Sequence, residues 1–170
     1  MLTSTMATSD ASCNGGNDGT GTVTASGGTS PYSYSVDGGL TYSGTNSISG
    51  LPAGSYPYIV QDANGCLVSG TAVVGEPAVV SLSFSSTSPI CNGDLNGTIT
   101  MAPAGGVGFY QFSIDGGTTF QGSGSFTGVP AGTYNLVLED GNGCQAFGTE
   151  SITAPVVISY GSTTGAVSCN

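Results

Sequence analysis

A shift of 78 residues lays this chain on itself without a gap. Cys13 falls on Cys91, Cys66 on Cys144 and Cys91 on Cys169. GLPAGSY (50–56) meets GVPAGTY (128–134), SVDGG (35–39) meets SIDGG (113–117), and DANGC (62–66) meets DGNGC (140–144). Roughly 30 of the 78 aligned positions are identical, and a register kept over that length signals tandem units. One small fold used twice satisfies this pattern directly. Pro77 and Pro155 punctuate the units. The expected boundaries are therefore 1–78 for the first repeat and 79–156 for the second. Residues 157–170 are expected to be the first strand of a truncated third repeat, which makes the chain a window on a longer array.

Each unit reads as all-β. In the second, VSLSF (80–84), TITM (98–101), FYQFSI (109–114), SGSF (123–126), TYNLVLE (133–139) and QAFGTESI (145–152) are strand candidates. Alternation places Tyr110, Phe112 and Ile114 on one face, and Tyr32, Tyr34 and Val36 do the same in the first unit. Tyr56, Tyr58 and Val60 match Tyr134, Leu136 and Leu138 as core-facing positions. Thirty glycines and the Asp-Gly-Gly and Asn-Gly steps supply turns that need positive φ. About seven short strands per unit, with a Tyr just after a Pro-Ala-Gly corner, predict tandem immunoglobulin-like β-sandwich domains. Tyr56 and Tyr134 are the candidates for the tyrosine-corner role.

Charge removes whole classes of partner. The chain has no Lys, Arg or His, and its ten charged side chains are all acidic, for a net charge of −10. Nucleic-acid binding needs cations to displace phosphate counterions. Anionic membrane surfaces attract basic segments and repel acidic ones. No apolar run reaches membrane-spanning length, so no membrane insertion is expected. The first residues lack the basic and apolar regions of a signal peptide, so an export signal is expected outside this stretch.

Cysteines at fixed repeat positions argue for disulfides and an oxidising compartment, because a 78-residue sandwich has a small core. Without His or a C-x-x-C, a zinc site is not expected. Three pairings stay open. The favoured one is intra-repeat, Cys13 with Cys66 and Cys91 with Cys144, each closing a loop for roughly 4 kcal/mol. Its difficulty is that the two positions fall at opposite poles of a sandwich, ~25 Å apart by strand rise, whereas bonded cysteines need Cα atoms within ~7 Å. The second scheme uses a common spacing and joins Cys66 to Cys91 and Cys144 to Cys169. The third joins Cys13 to Cys144 across the repeat junction. Cys169 pairs outside this stretch or, in the second scheme, with Cys144.

No catalytic residues are expected. Asp and Glu stand alone as possible acids and bases, and Ser and Cys nucleophiles lack a His or Lys partner. Asp37, Asp115, Asp62 and Asp140 each precede Gly or a residue and Asn-Gly, which reads as Asx-turn chemistry. Calcium is the one cofactor weighed, with Asp18, Asp62 and Asp140 as weak oxygen-ligand candidates.

The order Cys-Asn-Gly-x-x-x-Gly, then Gly-Gly with a following Tyr, then Leu/Val-Pro-Ala-Gly-x-Tyr, Asp-x-Asn-Gly-Cys and Pro resembles the SprB-type repeat. In the first unit these are Cys13 to Gly19, Gly27 to Tyr32, Leu51 to Tyr56, Asp62 to Cys66 and Pro77. The second unit has Phe109-Tyr110 in place of Pro31-Tyr32, and Trp, frequent in the family, is absent at Val36 and Ile114. The resemblance implies a long secreted, extracellular cell-surface adhesin of Bacteroidota, exported by the type IX system and tied to gliding motility or attachment. It implies a structural stalk or filament segment, not an enzyme, whose partners are neighbouring repeats or subunits of the same filament. The alternative is that each repeat binds surface polysaccharide, through GGTSPY (27–32) or GGVGFY (105–110), with Tyr42 and Phe120 as possible platforms.

Overall fold

The computed structural model describes residues 1–157 and 159–161. Cys169 and most of the segment 157–170 lie outside the described residues. Contact density groups the described chain into two compact units. The first holds Met1–Leu82, Pro103–Gln111 and Leu138–Ala146. The second holds Ser83–Ala102, Phe112–Val137 and the described residues from Phe147 onward.

Within the first repeat, alternating sequences make six strands: β1 (Thr3–Ser9), β2 (Gly19–Ser26), β3 (Ser33–Ser35), β4 (Ser47–Leu51), β5 (Gly54–Gln61) and β6 (Leu67–Val74). They form two three-stranded antiparallel sheets, ordered β1-β2-β4 and β3-β5-β6. An isolated bridge between Tyr34 and Ser43 adds a seventh short segment beside β3. The period of two is visible in β2, where Gly19, Gly21 and Val23 are buried and Thr20, Thr22 and Thr24 are exposed. Val23, Tyr58 and Val60 form the centre, with Met6, Tyr32, Tyr34 and Val68 packed on it. The register of β4 on β2 skips Gly50: Leu51 opposes Gly19 and Ser49 opposes Thr20. Gly50 takes the extra position at φ 75°, a left-handed conformation that a Cβ disfavours.

The second repeat reproduces this plan in β7 (Ser81–Thr87), β8 (Gly97–Ala104), β9 (Gln111–Ser113), β10 (Ser125–Val129), β11 (Gly132–Glu139) and β12 (Gln145–Ile152). Its sheets run β10-β8-β7 and β12-β11-β9. Gly128, at φ 73°, falls at the same register break in β10. Ile99, Met101, Phe112, Val129, Leu136, Val137, Leu138 and Ile152 are its buried apolar side chains. The chain is therefore all-β and built of immunoglobulin-like sandwiches, as the periodicity predicts.

Two expectations need correction. The strand expected over 109–114 is only Gln111–Ser113, because Phe109 sits at φ 67° and breaks the extended backbone before it. Val36, expected to face the core, is exposed, since β3 ends at Ser35 and the turn has begun. Several aromatics are exposed: Phe109 is 94% accessible, and Phe147 and Tyr160 are largely accessible too.

Candidate functional site: the cysteine loops

Asp-x-Asn-Gly-Cys joins β5 to β6 and β11 to β12. In the first copy the Asp62 carboxylate is buried and collects three backbone donors: Thr29 N at 3.0 Å, Asn64 N at 2.9 Å and Cys66 N at 2.9 Å. In the second, Asp140 accepts from Val107 N at 2.8 Å, Asn142 N at 2.9 Å and Cys144 N at 2.9 Å. The N–H of Cys66 foremost, then that of Thr29, holds the Asp62 carboxyl below its ordinary value. Burial opposes the charge on Asp140, yet the bonds from Val107, Cys144 and Asn142 still hold it below its own. Gly28 and Gly106 let the neighbouring loop approach: a Cβ there would lie 2.7 Å from Asp62 Oδ2 and 2.5 Å from Asp140 Oδ2. Each Asp thus fixes the backbone that presents the following cysteine.

The Cys-Asn-Gly loop after β1 and β7 is built in parallel fashion. Asn14 Nδ2 donates to Pro77 O at 3.0 Å, and Asn92 Nδ2 to Pro155 O at 2.9 Å. The asparagine ties the loop to the proline that closes the repeat, a role that sequence reasoning missed although the Asn and Pro recur in the same register. Ser12 N and its hydroxyl donate to Asp18, and this lowers the Asp18 carboxyl. Asn96 stands at the matching position and accepts from Ile90 N at 3.0 Å. An amide oxygen serves where the carboxylate does, so this position needs an acceptor and not a charge.

Cys13 and Cys144 are bonded, with Cα atoms 5.7 Å apart. This corrects the favoured pairing: neither Cys13–Cys66 nor Cys91–Cys144 forms. Strand length is the reason. Cys13 follows β1 and Cys66 precedes β6 at the far end of the same sandwich. The common-spacing scheme fails as well, since Cys66 and Cys91 are free and exposed and Cys144 is taken. The bond lies inside the first compact unit, where Asn142 Nδ2 also donates to Ser12 O at 2.8 Å and Cys144 Sγ sits 3.4 Å from that oxygen.

The other repeated motif, Ser-Val/Ile-Asp-Gly-Gly, is a closed network. Asp37 accepts from the Thr41 hydroxyl and N–H, the Ser35 hydroxyl and Leu40 N, and its carboxyl is held well below the ordinary value, chiefly by Thr41. Asp115 does the same with Thr119, Ser113 and Thr118, which bring it down to about 2. The corner tyrosines reach back four residues: Tyr56 Oη donates to Pro52 O at 2.7 Å and Tyr134 Oη to Pro130 O at 2.8 Å.

For calcium, the carboxylates of Asp18, Asp62 and Asp140 are each engaged by donors of their own loop. Among the described residues no three acidic, His or Cys side chains cluster to hold a metal. Of the two possible platforms, Tyr42 is exposed at 38% and Phe120 is half-buried.

The SprB repeat family matches residues 5–41 and 83–119, the two stretches from β1 and β7 through the Asp-Gly-Gly turns. The chain is thus similar to the SprB repeat at two places, in the same 78-residue register. Comparison with curated proteins gives no match. Among solved structures similar to this chain are the three N-terminal domains of the bacteriophage RB49 Highly Immunogenic Outer Capsid protein, 16% identical over 91% of this chain and 59% of that one, with a TM-score of 0.52. Two others are the 282-residue C-terminal fragment of intimin in complex with the Tir intimin-binding domain (15% identical, 89% of this chain and 63% of that one, TM-score 0.46) and CbhA fibronectin(III)-like modules of Clostridium thermocellum (15%, 91% and 94%, 0.37). The chain spans about three-fifths of the length of the capsid and intimin fragments. The capsid likeness concerns fold alone.

Proposed function

We propose that this chain is a structural stalk segment of a long secreted cell-surface adhesin, supporting attachment or gliding. Two units similar to the SprB repeat, with the same sheet order, carry the reading. The repeats are taken as 1–78 and 79–156, with 157–170 opening a third. Its setting is extracellular, which agrees with the disulfide, and its partners are neighbouring repeats or subunits of one filament. The segment has no catalytic role, and its repeated carboxylates serve turns rather than substrates.

A second reading, polysaccharide binding by each repeat, has one observation in its favour: Phe109, within GGVGFY, is almost fully exposed on a left-handed backbone. One measurement separates the two. The purified chain is titrated against a panel of bacterial, algal and host polysaccharides, with and without calcium. The stalk reading expects no binding in either condition. Selective binding that disappears in Phe109→Ala would replace it with the second.

A further inference from the structure

We propose that Asn92 is a site of spontaneous covalent modification, where the side-chain amide is lost and aspartate or isoaspartate forms. Asn-Gly steps are open to this reaction because glycine has no side chain to hinder attack by its own backbone nitrogen. The chain has five: Asn14-Gly15, Asn64-Gly65, Asn92-Gly93, Asn96-Gly97 and Asn142-Gly143. The folded backbone treats them differently.

Four are restrained. Gly65 N donates to Asp62 O at 2.9 Å, and Gly143 N to Asp140 O at 3.0 Å. Gly15 N donates to the Glu76 carboxylate at 2.6 Å. Gly97 is buried in β8, where a Cβ would collide with Val129 O. The Asn96 amide beside it is clamped, accepting from Ile90 N and donating to Asp94. Gly93 is the exception. Among the described residues its N–H has no acceptor, and apart from its chain neighbours nothing lies within 4 Å of where a Cβ would stand.

One difference between the repeats accounts for this. In the 78-residue register Ala154 stands where Glu76 does. The loop is otherwise alike. Asn92 Nδ2 donates to Pro155 O as Asn14 Nδ2 does to Pro77 O, and Gly93 (φ 87°) and Gly15 (φ 72°) share a left-handed backbone. Both steps are exposed, and Asn14-Gly15 is so although Cys13 beside it is bonded. Exposure of this loop therefore does not depend on the state of its cysteine. Glu76 acts chemically. The reaction begins when the glycine N–H gives up its proton. A carboxylate that accepts this N–H stabilises the protonated form, and its charge opposes the anion. The first repeat has that guard and the second lacks it.

The step balances with water as its co-reactant. The Gly93 nitrogen gives up its proton and bonds to Asn92 Cγ. The Cγ–Nδ2 bond breaks, and ammonia leaves with that proton. A cyclic imide remains, and water opens it at either carbonyl, giving aspartate or a backbone routed through the side chain. Each product puts a carboxylate where Nδ2 donated to Pro155 O, so two acceptors face each other and the tie is lost. The second repeat thus carries a one-way release that the first does not. This inference does not rest on the stalk reading.

The test keeps the full chain folded in mildly alkaline buffer under argon for days. Samples are reduced, digested with chymotrypsin, and followed by mass spectrometry and by isoaspartyl methyltransferase labelling. The peptide 85–95, whose one asparagine is Asn92, should convert about tenfold faster than the peptide covering Asn14, the factor that one hydrogen bond to a charged group supplies. It should also lead Asn64, Asn96 and Asn142. Ala154→Glu should slow Asn92, and Glu76→Ala should speed Asn14. Both positions are exposed, so circular dichroism of each variant should match the parent. In urea the rates should converge. Equal rates at Asn92 and Asn14 in the folded chain, a faster Asn64, Asn96 or Asn142, failure of either exchange to move its asparagine, or a difference that persists in urea would each overturn the proposal.

Discussion

At the scale of single residues, the acidic side chains act as backbone fasteners. Asp115 makes the pH consequence explicit. Its folded value is about 2 against an ordinary 3.8, so its contribution is complete above the ordinary value and is lost as pH falls through the folded one. Asp37 and Asp62 shift in the same direction. Thermal midpoints should therefore be level from pH 7 to about 5 and drop between about pH 4 and 2. Asn at position 115 should flatten that drop while lowering the midpoint at pH 7. Gly106 marks the steric side of the same design. Gly106→Ala should lose about 1–2 kcal/mol from its left-handed backbone alone, before the clash with Asp140, as read from urea midpoints.

At the scale of strands, burial decides which residues matter. Leu138 in β11 is fully buried, and Leu138→Ala should cost about 2–5 kcal/mol, whereas Phe147→Ser on the exposed face of β12 should stay within about 0.5 kcal/mol. Much of this pattern was legible in the sequence. The repeat exposed the strand pairs, and the period of two in Tyr56-Tyr58-Val60 and Tyr134-Leu136-Leu138 pointed inward. Other features were hidden for physical reasons. Alternation cannot reveal that Phe109 adopts a left-handed backbone, because its sequence neighbours read as strand. Nor can it show that β3 closes after three residues, since the Ser35 and Ser113 hydroxyls turn to serve the carboxylates of Asp37 and Asp115. The cysteine pairing was hidden too. The three schemes span 53, 25 and 131 residues, and spacing alone ranks none of them; the poles at which β1 ends and β6 begins are what rule out the intra-repeat bond.

At the scale of the whole molecule, the Cys13–Cys144 bond is the dominant constraint. It closes 131 residues of sequence, and in the chain-entropy model its loss by Cys144→Ser should reduce stability by up to about 5 kcal/mol in denaturant titrations. The same bond redirects tension. A pull applied to the two ends of the chain runs up to Cys13, crosses the sulfur–sulfur bridge and leaves through Cys144, bypassing the residues between. At roughly 3.5 Å per extended residue, about 450 Å of contour is held in reserve. In a single-molecule tether that length should stay hidden at forces that unfold sandwiches, and should appear in one step when a reductant is added. A row of such bridges would behave as a nearly inextensible cord in an oxidising medium and as a long shock absorber in a reducing one.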